Sequence, residues 1–440
     1  MKIVFSILFL SFAVTAFAQK ADDVLATATG HTFKAGDLSQ QAQDARAKMP
    51  ALITNVRKQL LSQLLGNILL ETEAKSRNIT PLALIKLETA RVKDPTAAEI
   101  QAVYDANQAA IAGKPLADVR KQIVEFLRRD PEEKMMKTYV DTLAAKYKVV
   151  YGKDLGAVDL KPVDILFTMT GRSFSAKEYE DLSRLTLYDA RATFYDDLRS
   201  ELEDAIYNAL VIDEAKSLKV DPGDLIAREI TGKMKDFTDA ERQGLEDAFR
   251  ARLFTKYAVK IMLKDPPPPV QSISVGDGPS RGLATAPVTV VMFSDFQCSA
   301  CSASHPILKT VLAEYGDKVH FVLRNFPLEA IHENAFRAAL AAAAANAQGK
   351  FFEYTEVLYK NQAALDDASL KKYATDLGLN AAQFAIDFSS EKTAAAVRKD
   401  IAEGKSYGIT GTPSIFINGA YVRRISAEHL KQMIDAALKK

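Results

Sequence analysis

The chain has 440 residues, a formal net charge of +1 and a pI of about 7.6. Such a balance offers no basic surface for nucleic acid or an anionic membrane, and the length suggests about two to four domains. With only two cysteines, a disulfide framework is excluded.

The first expected element is a secretory leader. Met1-Lys2 precedes an apolar run over 3–14 and then Ala16-Phe17-Ala18, a small-residue cleavage site. The run is too short to span a membrane. Cleavage after Ala18 predicts a periplasmic or secreted protein without a stable membrane span, and no cysteine follows the site to carry a lipid anchor.

Residues 19–265 read as mostly helical and internally repeated. The stretch 24–35 matches 165–176, Asn67 matches Asn208, Glu73 matches Glu214 and Pro81 matches Pro222, all at a constant offset of 141 residues. Each copy, 19–150 and 151–265, has the same grammar. A strand-like stretch meets a turn at Gly30 or Gly171. A long amphipathic helix follows, at 53–77 in the first copy, with Leu60, Leu61, Leu64, Leu65, Ile68 and Leu69 on its apolar face. A short helix opens at Pro81 or Pro222, where proline is tolerated. Another opens after Thr96, with Glu99 three residues on. A helical segment at about 114–150 lies between the copies.

On the pattern carried by 64–79 and 205–220, this region resembles the N-terminal domain of SurA- and PrsA-type chaperones. The resemblance implies binding of unfolded or extended polypeptide, or a role in assembly. A helical spacer or dimerisation arm, giving a homodimer, is the plainer alternative. No parvulin-type isomerase domain is apparent, so prolyl isomerase activity is not carried over. Pro266 to Pro269 then predict a stiff linker over 266–272.

Beyond the linker, an apolar run from Val288 leads into Cys298-Ser299-Ala300-Cys301, followed by helical spacing to Tyr315. Two thiols three residues apart at a helix start can open and close a disulfide. The exposed N–H groups and the helix dipole there favour a thiolate. Cys298 is the expected nucleophile and Cys301, one turn deeper, the resolving thiol. A zinc site would need further ligands, for which His305 is the one near candidate. Ser302 in place of His rules out the c-type haem pattern. A purely structural bridge closing so small a ring stabilises little.

Residues 270–440 resemble the DsbA-like thioredoxin family, in particular its BdbD-type branch. The motifs that carry this are Ser294-Asp295-Phe296-Gln297-Cys298, the strand-like 319–327, and Gly411-Thr412-Pro413-Ser414. The resemblance implies an α/β thioredoxin fold with a helical insertion between 332 and 404, spanning 273–440 after the α-helical chaperone-like region. It implies a leading strand within 273–282, a cis Thr412-Pro413 bond facing the cysteines, and no cofactor beyond a redox-active Cys298–Cys301 disulfide. The family often carries an acidic residue six positions before the first cysteine to move the proton of the buried thiol. Here that position is Met292, and Asp295 is the nearest candidate relay, although on a strand it would face the opposite side. The functional expectation is an exported thiol-disulfide oxidoreductase, oxidising or isomerising. Its partners would be unfolded or partly folded exported proteins and a separate redox partner. The alternative is a holdase or assembly chaperone that uses the thioredoxin unit as a platform.

Overall fold

The computed structural model describes residues 22–111 and 113–439, so the expected leader at 1–18 lies outside the described residues. The chain divides into two compact units. One is formed by residues up to Val56 together with Leu187–Pro267, the other by Arg57–Thr186 together with the chain from Pro268 onward.

The first half of the chain builds two similar runs of elements. In the first, the hairpin β1 (Val24–Ala28) and β2 (His31–Lys34) precedes α1 (Gln40–Ser76), α2 (Pro81–Thr89), α3 (Ala97–Ala106), α4 (Leu116–Lys146) and β3 (Val150–Tyr151). In the second, β4 (Ile165–Met169) and β5 (Arg172–Ser175) precede α5 (Ala176–Leu218), α6 (Pro222–Glu229), α7 (Asp239–Lys256) and β6 (Lys260–Ile261). Gly30 and Gly171 turn the two hairpins with φ of 81° and 76°. Asn78 and Lys219, just past the ends of α1 and α5, both take left-handed φ, 54° and 56°. The Thr96–Glu99 signal is a true capping box. The long helix α1 begins earlier than the expected residue 53 because it runs on through Pro50, where one backbone bond is lost without ending the helix.

The strand pairings cross between the two runs. In the first unit β6 pairs antiparallel with β1, and in the second β3 pairs antiparallel with β4. Each hairpin is therefore completed by a strand from the other run. Hydrogen-bonded glutamates repeat as well. Glu73 accepts hydrogen bonds from Lys146, Tyr147 and Arg77. Glu214, in the other unit, accepts from Lys256 and Tyr257.

The remaining elements form a five-stranded mixed sheet with helices. They are β7 (Ser280–Arg281), β8 (Val288–Ser294), α8 (Ser299–Tyr315), β9 (Val319–Asn325), α9 (Ala335–Asn346), α10 (Phe351–Lys360), α11 (Asp367–Asp376), α12 (Ala381–Phe388), α13 (Glu391–Ser406), β10 (Ser414–Ile417), β11 (Ala420–Val422) and α14 (Ala427–Leu438). The strand order is β11-β10-β8-β9-β7, with β8 and β9 parallel and the rest antiparallel. This is a thioredoxin fold, with α9 to α13 as the helical insertion between β9 and β10.

The pleat of β8 sorts its side chains onto two cores. Val290 and Met292 face the larger core with α8, α9 and α14. Val291 and Phe293 face a smaller cluster with Phe326, Ile409, Phe416 and Leu185 of α5. The first turns of α5 thus pack on the back of the sheet. Gly408 (φ 79°) comes so close to the Asp181 carbonyl that a Cβ would lie 2.7 Å from it.

The chain meets the sheet before residue 272. Pro269 accepts from Tyr421 N at 3.0 Å, and Gln271 N donates to Gly419 at 3.0 Å, so the chain is already pinned to β11. Within 273–282, β7 takes only Ser280–Arg281. Arg324, fully buried on β9, binds Asp400, Glu403 and the Ser274 carbonyl through its guanidinium. A buried charge needs such partners. Residues 274–278 form a strap over it, where a Cβ at Gly276 would lie 2.8 Å from the guanidinium carbon.

Candidate active site

The site grows from the end of β8. The strand stops at Ser294, Asp295 to Gln297 make the turn, and Cys298 caps α8. The turn is braced from both sides. Gln297 N donates to Asp295 Oδ1 at 2.7 Å, and Gln297 Oε1 accepts from Asn334 N at 2.8 Å. Gln362 Nε2 spans the carbonyls of Phe296 and Cys298 at 2.9 and 2.8 Å. With its backbone held this way, the dithiol has a fixed address at the helix start.

Both cysteines are free thiols. They are unequal in exposure: Cys298 keeps 8% of its surface, Cys301 none. The Cys298 thiolate is favoured first by the Cys301 thiol, which donates to it. Burial works against this, but the backbone N–H groups of Cys301 and Ala300 and the Thr412 hydroxyl add to it, and the Cys298 pKa falls well below the ordinary thiol range. Cys301 goes the other way. Burial pushes it up, and the neighbouring Cys298 adds to the shift. One sulfur is thus poised to attack while the other stays protonated beneath it.

The Thr412-Pro413 peptide bond is cis, and Pro413 directly precedes β10. As a thiol, Cys298 donates to the Thr412 carbonyl at 3.3 Å. Cys298, Cys301 and Thr412-Pro413, separated by more than a hundred residues in sequence, therefore meet at one place.

Asp295 lies beyond the end of β8 rather than on its opposite face. Its carbonyl accepts from Cys298 N at 3.3 Å. Its carboxylate is buried and turned to Gln297 N, to Leu328 N at 2.8 Å and to His332 Nδ1 at 2.7 Å. Met292, at the position where an acid was sought, is buried in the apolar core. The His305 ring packs at a tilt against Tyr359, with centroids 4.9 Å apart, and faces Glu356 at 3.3 Å. Among the described residues, no three His, Cys, Asp or Glu side chains converge as a metal site.

Three residues of the site had no signal in the spacing: His332, Tyr359 and Gln362. Ser294 Oγ and Tyr359 Oη are 2.6 Å apart in the interior. Tyr359 lies in the last turn of α10 and Gln362 just beyond it, and only folding brings them to the turn before α8.

The thioredoxin family model matches residues 274–436. Among curated proteins, the Na(+)/H(+) antiporter NhaA 1 of Mycolicibacterium gilvum is 37% identical over 141 residues, covering 32% of this chain and 23% of that protein. NhaA 3 of Salinispora tropica is 36% identical over 139 residues, with 32% and 21% covered. The chain spans about a quarter of the length of the curated relatives it matches. Among solved structures, a thioredoxin-like oxidoreductase from Silicibacter pomeroyi shares 26% identity at a TM-score of 0.35, covering 37% of this chain and 93% of that one. Oxidised BdbD from Bacillus subtilis shares 23% at 0.36, covering 40% and 100%. Among the described residues, no helix is long and apolar enough to cross a membrane.

Proposed function

We propose that this protein is an exported thiol-disulfide oxidoreductase acting on the cysteines of other exported polypeptides, with a thioredoxin-like domain as its reactive part. The observation that carries the reading is the asymmetric dithiol. Cys298 is held as a ready thiolate at a helix start, against the cis Thr412-Pro413 bond, while Cys301 lies buried behind it. In the oxidising direction a substrate thiolate attacks Cys298 of the disulfide form, and Cys301 leaves as the second sulfur. A second substrate thiolate then attacks the substrate sulfur of the mixed disulfide, releasing oxidised substrate and the dithiol. Stabilising the Cys298 thiolate stabilises the reduced protein, which favours oxidation of substrates. A separate oxidant would restore the disulfide.

The Thr412 carbonyl beside Cys298 supports pairing with an extended substrate backbone at this edge. Export, for which Met1 to Ala18 is the sequence argument, belongs to the same proposal. The deciding measurement is equilibration of the purified chain with glutathione redox buffers, with peptide oxidation as companion. A Cys298–Cys301 couple that never exchanges with glutathione would remove the oxidoreductase reading.

A second reading gives the SurA- and PrsA-like helical region a polypeptide-holding role of its own. The observation in its favour is a run of exposed apolar side chains beside β3 and β4: Val150, Tyr151, Val158 and Val163. Large exposed apolar surface marks binding sites on many proteins.

A further inference from the structure

The attacking sulfur belongs to a helix cap. Cys298 is the N-cap of α8, with φ of −74° and ψ of 121°. A side chain at that position faces the N–H groups two and three residues on, here those of Ala300 and Cys301. The Cys298 thiolate is favoured first by the Cys301 thiol and then, against burial, by these backbone groups. Their help depends on how the peptide units around Cys298 are turned, because rotating them swings the sulfur away from the helix start.

We propose that Gln362 is a positioning residue for the dithiol: its side-chain amide holds the peptide units on both sides of Cys298 and so keeps the sulfur aimed at the start of α8. This rests on the oxidoreductase function proposed above and assigns, within it, a residue that sets the reactivity of the attacking thiol.

The contacts are direct. Gln362 Nε2 donates to the Phe296 carbonyl at 2.9 Å and to the Cys298 carbonyl at 2.8 Å. A carbonyl only accepts, and a carboxamide nitrogen carries two protons. One proton goes to each carbonyl, which decides which way the amide points. The peptide unit between them is held by Cys298 N, which donates to the Asp295 carbonyl at 3.3 Å. Ser302 N also donates to the Cys298 carbonyl, at 3.2 Å, as the first bond of the helix. Three successive peptide units around the sulfur thus have partners, and one side chain serves two of them.

Gln362 is delivered to the turn on an anchored support. It stands two residues past the end of α10, whose last turn is tied to α8. Ser302 Oγ donates to the Tyr359 carbonyl at 3.0 Å, and the Tyr359 ring packs on Phe296 with centroids 5.3 Å apart. Downstream, Ala364 N donates to the Asn361 carbonyl at 2.9 Å, and Tyr373 Oη donates to the Ala364 carbonyl at 2.9 Å. The turn that carries Gln362 is therefore closed at both ends. Gln362 touches no reacting atom and acts through the backbone of Cys298. Loosening this hold should destabilise the thiolate. The reduced form carries that thiolate, so the Cys298–Cys301 couple should move toward the disulfide.

The test uses the full-length chain. Gln362→Met keeps the side-chain length and loses the donor. Gln362→Glu keeps the shape and turns a carboxylate on two carbonyls. Gln362 is half-buried, so both variants should fold. Two readouts are taken: the Cys298 pKa from the rate of alkylation by iodoacetamide against pH, and the equilibrium of the cysteine couple in glutathione buffers. Gln362→Met is expected to raise the pKa by about one unit and to move the equilibrium about tenfold toward the disulfide, the scale of one hydrogen bond. Gln362→Glu should move both at least as far. Gln348→Met is the control. Gln348 also joins segments of the insertion, accepting from Asn380 N at 2.8 Å and donating to the Asn380 carbonyl at 3.3 Å. Its loss should leave both readouts at their wild-type values. Wild-type values in both Gln362 variants would overturn the proposal. Equal shifts in Gln348→Met would overturn it too, by assigning the effect to a loosened insertion. A wild-type couple that never exchanges with glutathione would instead remove the oxidoreductase function, while the alkylation profile would still read the hold of Gln362 on Cys298.

Discussion

Cys298 and Thr412 meet across 114 residues of sequence, with the cysteine sulfur 3.3 Å from the threonine carbonyl. The contact joins the two halves of the thioredoxin-like domain on either side of the helical insertion. It sets the less buried sulfur of the pair, 8% exposed, beside the Thr412-Pro413 turn.

Cys298→Ser should abolish exchange with a model disulfide peptide. In the wild-type chain, iodoacetamide should label Cys298 and spare Cys301. The lowered Cys298 pKa keeps its thiolate present well below the ordinary thiol value of about 8.5. Reactivity should be lost only as pH falls through that lowered value. Peptide mapping of the labelled protein across pH checks both points; equal labelling of the two thiols at mildly acidic pH would contradict the asymmetry.

The largest cause of the Cys298 shift is the Cys301 thiol donating to it. Cys301→Ala should therefore raise the Cys298 pKa, seen as a shift in thiolate absorbance. The same variant should accumulate mixed disulfides with exported proteins, because nothing remains to resolve them. Nonreducing gels of cell extracts would show the adducts.

Glu73 offers a test remote from the cysteines. Burial pushes its pKa up, but Lys146, Tyr147 and Arg77 outweigh that and bring it to about 2. A carboxyl lowered on folding contributes stability above its unfolded value of about 4.3, and that stability is lost as pH falls towards 2. Glu73→Gln should cost about 2 kcal/mol at neutral pH, since it leaves a buried site with mismatched donors. It should also flatten the acid limb of the stability curve. Urea unfolding at pH 7 and pH 3 measures both effects.

Leu185 ties α5 to the back of the sheet through Phe293 and Phe416. Leu185→Ala should destabilise the unit by about 3 kcal/mol. Thermal unfolding of the full chain reads the loss, and a change below about 0.5 kcal/mol would mean that α5 is not an integral part of that core.

A holding role for the helical region predicts that a Cys298→Ala, Cys301→Ala double variant still suppresses aggregation of a denatured client, as judged by light scattering. Loss of suppression with the thiols would assign the effect to the redox site instead.

The helix start at Cys298, the apolar run of β8, the insertion helices and the constant offset between Glu73 and Glu214 could all be read along the chain. They are local: a period of two or of 3.6, a capping residue, a turn glycine, a proline. The positions of Tyr359, His332 and Gln362 could not. Each is ordinary in its own segment and meets its partner only when α10 or the loop before α9 is laid against the turn before α8.

The same division holds for the whole protein. Composition and short-range pattern determined that the chain carries a lone dithiol at a helix start behind a helical, repeated region, because those properties depend on neighbours within a few residues. Tertiary structure decided the rest: which hairpin receives which closing strand, which carbonyl of residues 274–278 meets Arg324, and which carbonyl meets the Cys298 sulfur. Each of these outcomes turns on satisfying a backbone edge, a charge or a polar atom far from it in sequence. Such partners are chosen by burial in three dimensions, and no local pattern specifies them.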